Sequence, residues 1–451
     1  MSLVDTEPCD KWIVPPQPLV LVAIGIAMAV AQGAVHIDHR NVESFVASAL
    51  MHGAIYLIGV WWVVSRPTST RDLVVVLVVA LCLRGLAMTA LPYLTTDAFR
   101  YVWDGRIQWQ GFSPYAFAPA DPSLEHLRDE QIYPHINQKD VALSIYPPMA
   151  EMIFMAAAGL SDGIAGLKLT MLLFEAVTIV ALLGWLKVER LPPSRVLIYA
   201  WHPLPIWEFA SQAHVDAAAT AFLALGIWAA ANRRQGLTGA LFACAAMVKY
   251  FPLVVLPALW RRWDWRLPAA LLLVTGLFFL PYAGSGNMFG FLGTHLSNEG
   301  YHEGWGFQIV WFLRDFSIAD PSLVAYLIFA GGLMGLLALW AVFARGPDEF
   351  LPNRMALLAA AFLFLSSPHY PWYFAFLCAL CVRTPHPALL AMTLGCLTLY
   401  LPRPPGGLTW TELYAVTYIL PLIVWIGIEI WRTVSISQTS VPRLKFWSPK
   451  L

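Results

Sequence analysis

Charge is scarce in this 451-residue chain: Asp, Glu, Lys and Arg make up 12% of it, against 59% hydrophobic residues. Soluble domains carry about 25% charged and about 45–50% apolar residues, so the shortage excludes an ordinary water-soluble enzyme. An excess of one sign is also lacking, because 28 basic residues cancel 28 acidic ones. Without a basic surplus or a block of like charge, nothing draws the chain to nucleic acid. Cysteine is sparse: Cys9, Cys82, Cys244, Cys378, Cys381 and Cys396, all but Cys9 inside apolar runs, imply no disulfide framework. Cys378 and Cys381 form a C-x-x-C, but within FAFLCALCV they share one helix face and lack the flanking strand or His/Cys partners of a redox or zinc motif. The first 18 residues hold Asp5, Glu7 and Asp10 and lack a basic n-region and a cleavage site. The first apolar run is therefore expected to remain as an anchor.

What is present in quantity is apolar and aromatic. Twenty Trp and an aromatic share of 14% suit a chain that crosses two membrane–water interfaces repeatedly. A bilayer core of about 30 Å takes about 20 apolar residues in helix. Such runs predict spans at Leu19–Val35, Ser44–Val64, Asp72–Leu94, Leu167–Leu186, Arg195–Ala210, Val215–Ala231, Leu237–Tyr250 and Pro252–Trp260. Further spans are predicted at Leu267–Tyr282, Ser322–Ala344, Asn353–Ser366, Trp372–Val382, Pro387–Leu401 and Trp410–Ile430. The fold class is thus an all-α polytopic membrane protein of about 13–14 membrane segments. Leu237–Tyr250 and Pro252–Trp260 are short for full crossings and are expected to be a tilted pair or broken helices.

Orientation follows from the basic residues of the short loops. With a cytoplasmic N-terminus, one side receives Arg66 and Arg71, then Lys187, Arg190 and Arg195, then Arg233 and Arg234, then Arg261, Arg262 and Arg266. The same side receives Arg345 and Arg354, Arg383, and finally Arg432, Arg443, Lys445 and Lys450, as the positive-inside rule requires. Tyr146–Leu160 (YPPMAEMIFMAAAGL) is apolar enough to span, but a crossing there would invert every later cluster. It reads as an interfacial helix opened by Pro147 and Pro148. A single membrane-embedded domain results: spans over 19–94, a large outer loop over 95–166, central spans over 167–282, a second outer loop over 283–321, spans over 322–431 and a cytoplasmic tail over 432–451.

In this arrangement the unusual polar residues gather on the outer side: Asp97, Arg100, Asp104, Arg106, Tyr146, His214, Asp216, Lys249, His295, Glu299, His302, Glu303, Trp305, His369, Tyr370, Trp372 and Arg403. Ionisable groups at membrane depth are costly and mark a site or a path. Simpler roles stand beside that one. Asp97 also suits the start of a loop helix, Arg100 and Asp104 suit an i, i+4 surface pair, and His214 with Asp216 suit a helix cap. Lys249, in MVKYFP, needs an anion, either a protein carboxylate or a ligand phosphate. Arg84 and Glu175, at mid-span, read as a structural ion pair. His295, Glu299, His302 and Glu303 form H-x3-E-x2-H-E, which allows a metal site or a solvated loop, and H-E-x-x-H is absent.

Taken in order, TDAFRYVWDGRIQWQGFSPYAFAPADPSLEHLRDE, SIYPPMAEMIF, HPLPIWEFASQAHVDA, AMVKYFPLVVLPALW and SSPHYPWYFAF resemble the motifs of C-type integral membrane glycosyltransferases. The likeness is strongest to bacterial polyprenyl-phosphate-mannose-dependent mannosyltransferases and runs from Asp97 to Phe376. It implies the C-type glycosyltransferase fold in a bacterial cytoplasmic membrane, with the site facing the periplasm or outside. The implied reaction moves a hexose, foremost mannose, from a polyprenyl-phosphate donor to a glycolipid or glycan acceptor. Asp97 occupies the position of the family's essential carboxylate.

A phosphate leaving group needs cations rather than a strong acid, and a single displacement with inversion needs one base. Asp97 is the expected base. Lys249, His369, Arg100, Arg106 and Arg403 are expected at the donor phosphate, and Tyr146, His214, Asp216, Trp305, Tyr370 and Trp372 at substrate. Ala98 and Phe99 follow Asp97, so the D-x-D of metal-dependent relatives is missing and metal-free chemistry without a cofactor is expected. Expected partners are the lipid-linked donor, the acceptor and membrane lipid. A flippase or exporter of lipid-linked sugars is the alternative from another class, although neither an internal repeat nor a cytoplasmic counterpart of the Asp97 loop is seen; a transferase of a phospho-group is a third.

Overall fold

The computed structural model describes residues 17–37, 41–285, 297, 299–344 and 351–437. His295, Cys9, Arg345 and the basic tail residues Arg443, Lys445 and Lys450 lie outside the described residues, as do the acidic residues of the first 16 positions.

All regular elements among the described residues are helical. The chain opens with α1 (Gln17–Ile37), α2 (Val42–Ser65) and α3 (Thr70–Met88). Asn41 caps α2 by accepting from Glu43 and Ser44 N–H, and Ser69 with Asp72 forms a capping box on α3. The loop that follows carries α4 (Asp97–Trp109) and α5 (Pro148–Leu160). Next come α6 (Ile164–Val188), α7 (Asp216–Ala231), α8 (Gln235–Val248) and α9 (Arg266–Phe279). The remainder consists of α10 (Gln308–Asp315), α11 (Leu323–Phe343), α12 (Leu351–Ser366), α13 (Ala375–Cys381), α14 (Pro387–Gly395), α15 (Trp410–Tyr414) and α16 (Leu420–Ser437).

Among the described residues, five helical stretches are long and apolar enough to cross a membrane: Gln17–Ala34, Val42–Ser65, Ile164–Val188, Leu323–Phe343 and Trp410–Trp431. Shorter apolar helices fill in between them, and the chain is a polytopic helical membrane protein. Large apolar side chains face outward, among them Leu81, Leu272, Ile328 and Ile423. Small residues face inward, so that α7 buries Ala217, Ala218, Ala221 and Ala224. Between helices in lipid, close packing of small side chains substitutes for the hydrophobic drive. Gly239 on α8 shows the requirement: a Cβ there would stand 2.2 Å from the Leu267 carbonyl oxygen of α9.

Two expected spans are revised. Arg195–Ala210 is not one helix but a chain of turns: a 3-10 turn at Pro193–Val196, single turns at Leu197–Ala200 and Pro203–Pro205, and a π-helical turn at Ile206–Ser211. Pro203 and Pro205 lack the N–H groups a continuous helix needs there. Pro252–Trp260 is likewise a 3-10 turn (Phe251–Val255) followed by one short turn (Leu256–Leu259), so α8 and its successor form the broken-helix alternative.

Arg84 Nη2 lies 2.5 Å from Glu175 Oε1, both buried, and Arg84 Nη1 donates to the Ala200 carbonyl. The pair ties α3, α6 and the broken segment together. At the start of α6, Lys168 donates to the Met88 and Ala90 carbonyls beyond α3, so the two helices run antiparallel. At the other ends of α3 and α6, basic loops meet. Ser194 donates to Thr68, Arg195 to the Arg383 carbonyl, and Arg383 pairs with Glu189 at 2.8 Å. The Asp97 loop lies at the opposite end of these helices, about 35 Å away at about 1.5 Å per helical residue.

Candidate functional site

Thr96 is the N-cap of α4 but makes no side-chain cap bond, and Asp97 is the first helical residue. Its carboxylate is therefore not spent on capping and sits where the helix dipole favours negative charge. Oδ2 lies 3.4 Å from the hydroxyls of both Tyr101 and Tyr146, which are 3.1 Å from each other. Burial, with Asp97 close by, pushes both phenols well above their usual range, so they stay protonated donors.

Tyr101 stacks on Phe154 of α5 at 4.4 Å, which fixes the phenol pair to the second loop helix. The two helices can approach because residue 105 is glycine. A Cβ there would lie 2.2 Å from the Phe154 carbonyl oxygen. Beneath this contact, Glu151 accepts from Ser144 and from Gln108, and Gln108 accepts from Tyr282. Burial first, then the charge of Asp104, holds Glu151 well above the usual carboxylate range.

Asp97 opens onto a cavity of about 970 Å³, whose walls include residues 94–97, 142–147, 249–251, 299, 301, 302, 366, 368–370, 372 and 373 together with Arg100, Leu323 and Leu327. Three cation–carboxylate pairs stand around it. Arg100 Nε pairs with Asp104 at 2.8 Å, and its Nη2 is buried without a partner among the described residues. Lys249 Nζ pairs with Asp216 at 2.6 Å and lies 4.6 Å above the Tyr373 ring. His369 Nδ1 lies 3.2 Å from Glu299, while its Nε2 lies 3.0 Å from the Gly306 carbonyl. Both His369 nitrogens face acceptors. Tyr370 donates to the other Glu299 oxygen and stacks on Trp372 at 4.5 Å.

Of the residues expected at the site, Asp97, Arg100, Tyr146, Lys249, His369, Tyr370 and Trp372 line this one cavity. Asp216 stands behind Lys249 as its counter-ion, which answers the question of which anion that lysine holds. His214 is wholly buried behind Trp372, on whose ring it stacks at 4.2 Å. Three others lie elsewhere. Arg106 pairs with Asp129 and Asp162 and donates to the Leu127 carbonyl, so it clamps the loop between α4 and α6 and lies outside the cavity lining. Arg403 stacks on Trp410 at 3.8 Å, outside the lining. Trp305 lies under Arg314 in a separate shallow surface pocket with Glu303 and Asp320. The described members of the H-x3-E-x2-H-E run part in the same way: Glu299 and His302 line the cavity and Glu303 the shallow pocket. Among the described residues no cluster of His, Cys, Asp and Glu could hold a metal ion.

Sequence reasoning did not single out Glu208, a fully buried carboxylate 2.9 Å from His214 that also accepts from Tyr400. A glutamate inside PLPIWEFAS was its only signal. Gln212 was also missed. Its Oε1 accepts from both Tyr93 and Leu94 N–H and so holds the approach to Asp97.

A helical bundle in lipid, with a carboxylate and three pairs of basic side chain and carboxylate round a largely apolar cavity at one end, defines a membrane-embedded group-handling protein. The comparison with known families specifies it. The chain belongs to the alpha-(1->6)-mannopyranosyltransferase family: the model of that family's N-terminal domain matches residues 20–264, more than half of the chain. It is accordingly a hexosyltransferase that moves mannose, which decides against the exporter. No curated protein and no solved structure matches the chain.

Proposed function

We propose that the protein transfers mannose from polyprenyl-phosphate mannose to a glycolipid or glycan acceptor, with inversion, in a bacterial cytoplasmic membrane and at its extracytoplasmic face. The observation that carries this reading is the composition of the one cavity. A carboxylate flanked by two protonated phenols shares it with Arg100, Lys249 and His369, and its wall includes Leu323 and Leu327 of α11, whose outer face is apolar and exposed. An anionic head with an apolar tail fits those two halves.

Asp97 takes the proton of the acceptor hydroxyl as that oxygen attacks the sugar's anomeric carbon. The bond from that carbon to the phosphate oxygen breaks, and the phosphate leaves with the electron pair. Lys249, His369 and Arg100 stabilise that charge. In the resting site each of these cations is compensated by a carboxylate, so the phosphate replaces Asp216 or Glu299 as partner rather than meeting a bare cation. The reaction is proposed to need no metal, because the basic side chains Arg100, Lys249 and His369 already line the cavity. The extracytoplasmic face is supported by the meeting of the basic loops around Thr68, Arg195 and Arg383, at the far end of α3 and α6 from Asp97.

The test is transfer in liposomes containing purified protein, labelled polyprenyl-phosphate mannose and a synthetic α-(1→6)-mannoside acceptor. A new mannoside of inverted configuration by NMR, formed equally with excess EDTA, is expected. No product from this donor when a nucleotide-sugar donor gives one would refute the reading.

A further inference from the structure

Behind the cavity wall a carboxylate, an imidazole and a hydroxyl stand in line. Glu208 belongs to the π-helical turn 206–211, and His214 follows Ala213, whose φ of 60° is left-handed. His214 Nδ1 lies 2.9 Å from Glu208 Oε2, off the axis of a straight hydrogen bond, and the Tyr400 hydroxyl donates to both Glu208 oxygens at 3.0 Å. On the other side of the ring, Nε2 lies 3.1 Å from Thr95 Oγ1. Thr95 lines the cavity two residues before Asp97.

The direction of these contacts follows from what each group can do. A lone pair on Nδ1 would be repelled by a carboxylate oxygen at that distance, so the ring hydrogen is assigned to Nδ1, which leaves Nε2 to accept from Thr95. Thr95 has one hydroxyl hydrogen, and Nε2 takes it. What the threonine then presents to the cavity is lone pairs only. A buried histidine beside a carboxylate is ordinarily a packing device. Here a π-helical turn, a left-handed alanine and two buried ionisable groups fall within nine residues, and Gln212 and His214 of that segment contact Tyr93, Leu94 and Thr95 on the backbone that leads to Asp97. Departures from regular structure concentrated in this way mark functional segments.

We infer that Thr95 is a binding contact that accepts a hydrogen bond from one hydroxyl of the acceptor sugar, and that Glu208 and His214 are positioning residues that fix the direction of that bond. The inference rests on the mannosyl transfer proposed above. It assigns the contact to the acceptor because Thr95 adjoins the base, whereas Lys249 and His369 face the leaving phosphate.

The test uses the full chain in liposomes with polyprenyl-phosphate mannose and a panel of monodeoxy and monodeoxyfluoro analogues of the mannoside acceptor. With the unaltered protein, one deoxy acceptor should lose roughly tenfold in kcat/KM. The matching fluoro analogue should lose as much, because fluorine cannot donate. Thr95→Val and His214→Gln should be indifferent to removal of that hydroxyl, with the loss falling in acceptor KM, and Thr95→Ser should restore the discrimination. A fluoro analogue that behaves like the parent would overturn the inference, as would Thr95→Val discriminating like the unaltered protein. If His214→Gln fails to fold, the two Thr95 variants still decide. Absence of any transfer by the unaltered protein would overturn the transfer reading itself, and this inference with it.

Discussion

Lys249 is the residue whose chemistry is most constrained. It ends α8, held between a carboxylate at 2.6 Å and an aromatic face, and in the proposed reaction the donor phosphate competes for it. Lys249→Met removes a cation made for the leaving group, and kcat/KM should fall about a hundredfold or more. Asp216→Asn leaves the cation and frees it from its partner, so donor KM should fall or hold while the Lys249→Met loss persists; equal losses in both variants would show that the pair is only structural. Asp97, Lys249 and His369 were legible in the sequence because an ionisable residue among apolar ones is conspicuous. Their partners were less so. Nothing in the spacing of Arg100, Lys249 and His369 reveals that each is paired at rest, since Asp216 and Glu299 reach them across the fold. Arg106 looked equivalent to Arg100 in sequence. Position on α4 separates them, because Arg106 turns toward Asp129 and Asp162.

At the scale of the element, the pair α4 and α5 determines where Asp97 points. Gly105→Ala would press a methyl group into the Phe154 carbonyl, at a cost of about 1–3 kcal/mol, and tilt the Tyr101 and Tyr146 phenols away from the carboxylate. Thermal unfolding in detergent and transfer activity should both drop. The Glu151 contact adds a pH dependence. Folded Glu151 keeps its proton well above the pH at which an unfolded glutamate loses it, so the folded chain binds more protons. Its stabilising contribution is full below about pH 4.3, declines as pH rises from there, and is lost as pH passes the raised folded value. Glu151→Gln, neutral throughout, should therefore lose less of its melting temperature between about pH 6 and about pH 10 than the unaltered protein. An equal loss would show that another group governs the slope. The short helix α5 itself was legible, because Pro147 and Pro148 open it and the apolar run ends at Leu160. The break at 193–211 was not predicted, since its composition matches that of a span and only the placement of Pro203 and Pro205 argues otherwise.

Across the whole molecule, polarity is divided by position. Among the described residues, buried charge includes ties between helices, as with Arg84 and Glu175, and the groups of the cavity at one end. Arg84→Met should cost about 3–5 kcal/mol by leaving Glu175 alone, and adding Glu175→Leu should recover most of the lost melting temperature. The cavity charges should behave oppositely, with little loss of stability and a large loss of transfer. The central claim is that Asp97 is the base of mannosyl transfer. Its direct test compares Asp97→Asn with the unaltered protein in liposomes supplied with labelled polyprenyl-phosphate mannose and acceptor, with folding monitored by melting temperature. The account predicts an unchanged melting temperature, retained binding of the donor and no detectable mannoside. Substantial transfer by the folded Asp97→Asn protein would contradict it.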